Sequence, residues 1–402
     1  MSSTLIAPRS TRAALSQGAL TVDQLIYSGS NFALAVLGGR TLTQSDFGRF
    51  ALAILAISIM VNLGKAVWHE PDLADGVSAT WPPPWWLVGV AVLSTLAATA
   101  LPFLGVVIAA VVVAVAQDRV RYRAFAARDV RPVVAGDSVW LGFVAAYILL
   151  AVELDSPSDI LLVWTAGACL SISVIVIGSR PPLAPRSTSR VPIGQRWALL
   201  LDNMLSSGMT QIGGLVLAVF LTIDDIATLR AAIIVLGPVG IVIGALTTWI
   251  FSSLDRTKPD IANVARRSSW VAVGSLVLTG VLGVLPATIG VRILGEAWPV
   301  RTVLMLIGLS VTFQALSTPG MMLFRLTDQR RALLGLRITA FALFVTVVIG
   351  TAAFTGSVLA TAGGYAAVNA SFAVIVWLRL AMTKRPRRRS IAMTSMPGAA
   401  NS

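Results

Sequence analysis

Long apolar runs separated by short polar stretches recur from one end of the chain to the other. A bilayer core is crossed by roughly 20 apolar residues in helical form. Twelve runs of about that length stand out, at 19–38, 47–68, 85–101, 103–117, 133–152, 159–178, 197–221, 226–251, 268–291, 298–320, 332–354 and 357–379. The pattern predicts an all-α, polytopic membrane protein of about twelve transmembrane helices. The stretch 85–117 is short for two crossings and long for one; Pro102 and Gly105 in its middle favour a tight turn between two short helices. The first run carries Asp23 and Gln24, and no small-residue cleavage site follows it, which points to a retained first helix rather than a signal peptide.

Charge resolves the ambiguity at 85–117. Cytoplasmic loops carry an excess of Lys and Arg. With twelve spans and both ends inside, 26 of the 31 basic residues fall on the cytoplasmic side, leaving Arg40, Arg49, Arg230, Arg292 and Arg301 outside. A single crossing there would put the basic loops on one side of it in the wrong compartment. The outer loops are short and acidic, with Glu153, Asp155 and Asp159 in one and Asp224 and Asp225 in another.

Composition narrows the function classes. The 402 residues are 56% hydrophobic and 12% charged, too little charge to cover a water-facing surface. The net charge of +13 suggests nucleic acid until the charges are mapped; they lie between apolar runs and at the tail, so no nucleic-acid partner is expected. A lone cysteine, Cys169, excludes a disulfide framework and cysteine metal sites, and a lone histidine, His69, leaves little for general-base chemistry. No phosphate-binding glycine loop and no Ser/His/Asp set is present, and no loop is long enough to fold as a catalytic lobe. A transporter is expected rather than an enzyme, with no cofactor and no ATP site.

The chain also repeats. Asp23–Gly29 set beside Asp202–Gly208 gives a shift of 179 residues, and the ungapped match continues through Leu42/Leu221, Thr43/Thr222, Asp46/Asp225, Ala53/Ala232 and Ile54/Ile233. The shift carries helix 1 onto helix 7, so the halves share one orientation, as in two-lobed transporters with a substrate path between the lobes. The expected organisation is a cytoplasmic segment 1–18, an N-lobe 19–179, a Pro- and Arg-rich linker 180–196, a C-lobe 197–380 and a basic tail 381–402.

Ionisable groups at membrane depth cost about 2.5–3.5 kcal/mol on insertion scales and usually face a bundle interior or water. Here they are Asp23, Lys65, Asp137, Asp202 and Arg230. Each is a candidate for the cavity or a gate; the plainer alternative is a snorkelling or loop-pairing residue. Asp23 and Asp202 stand out because the repeat places the same acid at the same point of each half, where it either gates the cleft or only supports a helix start. Gln117–Arg123 reads as a basic cytoplasmic loop, whose Arg119, Arg121 and Arg123 either serve topology and attract anionic lipid or receive a phosphorylated lipid head. Pro71, Pro82–Pro84, Trp81, Trp85 and Trp86 read as a helix stop and an interfacial anchor.

Asp23-Gln24, Asn31-Phe32, Arg40-Thr-Leu42, Asp46-Phe-Gly-Arg-Phe-Ala-Leu52 and Glu70-Pro71 together resemble the opening of the polysaccharide flippases, the O-antigen and teichoic-acid exporters of the MATE-related MOP superfamily. Gln117-Asp118 with Arg121-Tyr122, Ala227 through Pro238, and Gly295-Glu-Ala-Trp298 are similar to later landmarks of that family. The resemblance implies two six-helix lobes around a cavity and transfer of polyprenyl-(pyro)phosphate-linked oligosaccharide across a bacterial cytoplasmic membrane. It also implies partners among glycan polymerases or glycosyltransferases, and cationic cavity residues, for which Lys65 and Arg230 are the nearest candidates. Three alternatives stand beside it: a cation-coupled small-molecule exporter of the same fold, a non-transporting partner of a glycan synthase, and an integral glycosyltransferase.

Overall fold

The computed structural model describes residues 9–65, 102–126, 129–150, 154–179, 209–252, 260–284, 287–295, 298–326 and 329–383, with Val152 and Leu205 as isolated positions. The elements in order are α1 (Arg9–Thr41), α2 (Gln44–Gly64), α3 (Pro102–Ala126), α4 (Arg131–Leu149), α5 (Pro157–Gly178), α6 (Met209–Leu217), α7 (Ile223–Val235) and α8 (Gly237–Ser252). They continue with α9 (Ile261–Val284), α10 (Ala287–Leu294), α11 (Arg301–Leu326), α12 (Arg330–Leu343), a π-helical turn at Phe344–Ile349, α13 (Gly350–Thr355) and α14 (Val358–Thr383). Among the described residues eight helices are long and apolar enough to cross a membrane, or nine with α7 and α8 taken as one bent span. The chain is an all-α, multi-pass membrane protein. Side chains such as Leu149, Ile177 and Phe354 stand more than four-fifths exposed, which suits lipid contact and not water.

Several boundaries differ from the sequence-based expectation, each for a physical reason. The run at 103–117 is the first part of α3, which continues as regular helix to Ala126, so Gln117–Arg123 is helix and not loop. The span at 226–251 is two helices meeting at 44°. Pro238 follows Gly237 there; it supplies no backbone N–H and its ring crowds the preceding turn. The span at 268–291 begins earlier, at Ile261, and the chain then forms the separate short α10 beyond Pro286. The predicted helix 85–101, most of the first half of 197–221, the linker 180–196 and the tail 384–402 lie outside the described residues.

One end of the bundle is capped in a uniform way. Here "distal" denotes the end where α1 finishes and "proximal" the end where it starts. At the distal end Thr43 caps α2: its hydroxyl accepts from the Asp46 N–H at 3.3 Å and donates to the Asp46 carboxylate at 2.9 Å. Thr222 caps α7 in the same way through Asp225, at 3.2 Å and 2.7 Å. The two cap residues have nearly identical backbone angles, −62°/161° and −68°/160°. These are two of the pairs related by the 179-residue repeat, so the repeat predicted at Thr43/Thr222 and Asp46/Asp225 has the same local geometry in both halves. Ser156 caps α5 through Asp159 by the same device. Each cap satisfies helix N–H groups that would otherwise be left unpaired. At the opposite kind of terminus, Gly356 closes α13 with φ +56° and its N–H bonded to the Ala352 carbonyl at 2.8 Å, a left-handed conformation for which glycine has no Cβ penalty.

Each half has its own apolar core. In the N-terminal half Phe47, Phe50 and Ile57 of α2 pack with Leu34, Trp140, Ile160 and Trp164. In the C-terminal half Leu229 of α7 packs with Val303, Ile307, Phe344, Val348 and Tyr365. Helix α7 serves both: Ala227 and Ala231 belong to the N-terminal core, while Ile226, Leu229, Ala232 and Val235 belong to the C-terminal one.

The halves meet tightly at the distal end. The Gln44 amide donates to the Asp224 carbonyl at 3.2 Å and to the Thr228 hydroxyl at 3.1 Å. A Cβ on Gly48 would sit 2.5 Å from the Ile223 carbonyl oxygen, and one on Gly39 would sit 2.8 Å from that of Leu294. Both obstacles are backbone, so a side chain there can be admitted only if the helices part. Deeper in the seam the Asn62 amide donates to Gln211 Oε1 at 2.7 Å.

Gly48→Val is therefore expected to pry α2 from α7. Overpacking of this kind costs about 1–3 kcal/mol, enough to raise the open population roughly fivefold or more. In a Cys169→Ser background, with the buried Thr228 replaced by Cys as a reporter, maleimide labelling should accelerate at least that much when Gly48→Val is added. Equal labelling rates would show that the distal seam does not depend on glycine at 48.

Candidate functional site

Of the five buried charged residues described, Asp23, Asp118, Arg121 and Asp137 gather in the proximal third of the N-terminal half, and Arg337 lies on α12. Arg121 lies on α3, five turns beyond its start, and is 5% exposed. Its Nη2 donates to Asp23 Oδ2 on α1 at 2.7 Å. Its Nε lies 3.1 Å from Asp137 Oδ2 on α4, close enough for an ion pair although not aligned for a hydrogen bond. Asp137 is fully buried. Its other oxygen accepts from the Gln117 amide at 3.3 Å and from the Ser171 hydroxyl of α5 at 3.2 Å. Gln117 and Arg121 stand one turn apart on α3, so one face of that helix presents both an amide and a guanidinium to the same carboxylate.

Aromatic rings close the apolar side of this cluster. The guanidinium carbon of Arg121 lies 4.1 Å from the Tyr27 ring centroid, and Phe125 lies on another side at 5.9 Å. Tyr27 meets Trp140 edge-on at 5.6 Å, and Trp140 meets Trp164 at 5.5 Å. A cation held against π faces is favoured most where water is excluded. A second pair stands alongside, with Lys65, at the end of α2, 3.5 Å from Asp118 of α3. Every described helix of the N-terminal half thus contributes a polar or charged group.

The count of charges is uneven. Lys65 pairs with Asp118, and Arg121 faces two carboxylates. Asp23 Oδ1 and Asp137 Oδ2 are buried and accept no hydrogen bond. Among the described residues the cluster thus holds three carboxylates and two paired cations.

Arg230 is a different case. It lies on α7 between the stripe that packs on the N-terminal half and the stripe that packs on the C-terminal half. Eight residues past the Thr222 cap, it sits about 12 Å along the helix from the distal end, well inside a hydrocarbon core of about 30 Å. Its Nε is buried and has no hydrogen-bond partner, and no carboxylate pairs with it among the described residues. Its electrostatic neighbour is Tyr365 of α14, whose ring packs edge-on to Phe344 at 5.5 Å. Phe344 opens the π-helical turn and fills the space against Gly213, where a Cβ would collide with the ring.

Of the residues singled out from sequence, Asp23, Asp137 and Lys65 come together in the proximal cluster, and Arg230 stands apart at the seam. Arg121 is not a lipid-facing loop residue; it is the buried centre of the cluster, because α3 carries it into the helix interior. Arg119 and Arg123 are half-buried, one turn apart on another face of α3. Asp202 lies outside the described residues. Sequence reasoning missed Gln117, Ser171 and Tyr27; the spacing of Gln117 and Arg121 at the end of an otherwise apolar run was the available signal.

With this arrangement in view, the whole fold can be set against known structures. No protein-family model matches the sequence, and no curated protein sequence matches it significantly. Solved structures do. An inward-facing multidrug resistance MATE family transporter of the MOP superfamily superposes with TM-score 0.58 at 10% identity, over 92% of this chain and 98% of that one. The fold is that of a MATE transporter. An outward-facing MATE transporter of the MOP superfamily superposes with TM-score 0.53 at 12% identity, over 92% of this chain and 95% of that one. At such identities the MATE likeness is one of fold.

The cluster yields an ordered prediction for stability. Arg121→Ala leaves two buried carboxylates without their cation, and breaking a buried pair in this way costs about 3–5 kcal/mol. Asp23→Asn leaves Arg121 and Asp137 matched one to one and should cost clearly less. Thermal unfolding of the detergent-purified protein should rank wild type and Asp23→Asn well above Arg121→Ala. Arg121→Ala unfolding at the wild-type temperature would show that the cluster does not hold the N-terminal half together.

Proposed function

We propose that this protein moves an anionic amphiphile, a polyprenyl-(pyro)phosphate-linked oligosaccharide, across the cytoplasmic membrane by alternating access of its two halves. The observation that carries this is Arg230. A half-buried guanidinium whose Nε is enclosed without a hydrogen-bond partner, and which no carboxylate pairs with among the described residues, is costly, and the cost is relieved when an anion arrives. A cationic cargo would be repelled from the same place. Arg230 sits on the helix shared by both cores, so an anion bound there touches the element that moves when the halves separate. On the positive-inside orientation the distal seam faces outward, and the phosphate would be met from the cytoplasmic side. The resemblance of Asp23–Leu52 and Gln117–Tyr122 to polysaccharide flippases supports the same cargo class, as does the absence of a nucleotide-binding loop from the sequence.

One observation favours a second function, a cation-coupled small-molecule exporter of the MATE type. The surplus carboxylate beside Arg121 has the makings of a site for one proton or monovalent cation. Arg121 pairs with both Asp23 and Asp137, which argues for a structural cation serving the two acids.

Two linked measurements test the proposal. Depleting the protein in its host should lead to accumulation of one completed lipid-linked glycan with loss of the matching surface polymer, read by mass spectrometry. Arg230→Met should fail to restore the polymer yet raise the unfolding temperature of the purified protein, because it removes an unpaired buried charge. An unchanged lipid profile on depletion would overturn the cargo. Full complementation by Arg230→Met would remove Arg230 from the path.

A further inference from the structure

A groove of about 510 Å³ lies on the C-terminal half between α8 and α9, separate from both charge sites. Its walls are Ile243 and Leu246 of α8 and Val271, Gly274 and Leu278 of α9, and Arg267 stands at one end. A Cβ on Gly274 would meet nothing within 4 Å, so the floor is open rather than filled by a neighbouring side chain. The size is that of a small-ligand pocket, about 300–1,000 Å³, but the lining is almost wholly apolar.

Its placement specifies the occupant further. Helix α9 is one of the membrane-spanning helices. From Arg267 to Leu278 the groove follows 11 residues of α9, about 16 Å, which is close to one leaflet of a 30 Å hydrocarbon core. Arg267 is the seventh residue of α9, about 9 Å from its proximal end, and Arg266 beside it is exposed. Trp270, 71% exposed, follows one turn deeper on the rim. An arginine with an exposed tryptophan one turn deeper is what the headgroup interface selects. The groove is thus cationic where a phosphate would lie and apolar for the length of one leaflet below it.

We infer that this groove is a binding site for one anionic phospholipid of the proximal leaflet, its acyl chain along Gly274 and its phosphate beside Arg266 and Arg267. A bound lipid would brace the lower half of the bent α7–α8 span, which packs on α1 of the other half. Neither Arg230 nor the proximal cluster is needed for it, so it stands independently of the transported cargo.

Native mass spectrometry of the full-length protein in detergent tests this with phosphatidylglycerol and phosphatidylcholine of identical chains. Wild type should retain one phosphatidylglycerol about tenfold more tightly than phosphatidylcholine, a difference of about 1.4 kcal/mol. Gly274→Leu, which fills the floor where there is room for it, should abolish that preference while leaving the lipid-free unfolding temperature at or above wild type. Equal retention of the two lipids, or an unchanged preference in Gly274→Leu, would overturn the assignment. Displacement of the phosphatidylglycerol by stoichiometric polyprenyl phosphate would also overturn it, by giving the groove to an isoprenoid chain.

Discussion

The contact between Arg121 and its two carboxylates sets the terms for the N-terminal half. Five helices that are apolar over most of their length have little to orient them, since lipid is as apolar as the faces they bury. The side chains of Asp23, Asp137, Gln117 and Ser171 can be buried only if they find one another, and they do so around one guanidinium. The cost of any other register is a buried charge with no partner, so the cluster selects one rotation for each of α1, α3, α4 and α5. Packing then completes what the charges specify: a Cβ on Gly167 would strike Trp140, and one on Gly136 would strike Ile175 and the Ser171 carbonyl. The small residues admit the close approach that brings α4 onto α5.

The C-terminal half is organised differently. Its buried polar groups are mainly hydroxyls and amides, such as Ser275 with Thr312 and Asn369 with Ser310 at 2.6 Å, which bond across helices without charge. Such pairs are individually weak in membranes, about 0.6 kcal/mol on average. This half also contains the 44° break at Gly237–Pro238, the π-helical turn at Phe344–Ile349 and Pro319 inside α11. Irregular backbone of this sort recurs at functional positions in helical proteins. The described N-terminal half is thus held by ion pairs, and the C-terminal half mainly by neutral contacts between helices that bend.

The membrane class and most helices were legible in the sequence because the bilayer imposes a length and a polarity that a single chain displays directly. The repeat was legible too, since Thr43 with Asp46 and Thr222 with Asp225 are local capping pairs whose geometry follows from four consecutive residues. What could not be read was which charges would pair. Asp23 lies 98 residues before Arg121, and Asp137 lies 16 residues after it; positive-inside counting treats Arg121 as one more cytoplasmic cation. The count gave Arg121 the wrong environment, because the rule concerns which side of the membrane a charge lies on and not whether it faces lipid, water or another helix. The helix breaks were misjudged for a similar reason: hydropathy runs continuously through Gly237–Pro238, where the backbone does not.

Arg121 and Arg230 show how one residue type divides into two roles under the same physics. Both lie at membrane depth, Arg121 buried and Arg230 half-buried with its Nε enclosed. Arg121 has its counter-charges built into neighbouring helices, and removing it would leave those acids exposed to the low dielectric. Arg230 has none among the described residues, and the halves meet beside it. A protein selected only for stability would replace such a residue with a hydrophobe of similar volume, since unpaired buried charge is among the most destabilising features a core can hold. On the function proposed above, the missing anion is the cargo's phosphate, supplied from outside. The cost of the unpaired state would then become differential affinity between a conformation that exposes Arg230 to cargo and one that does not, and a ligand can shift such an equilibrium only by that difference.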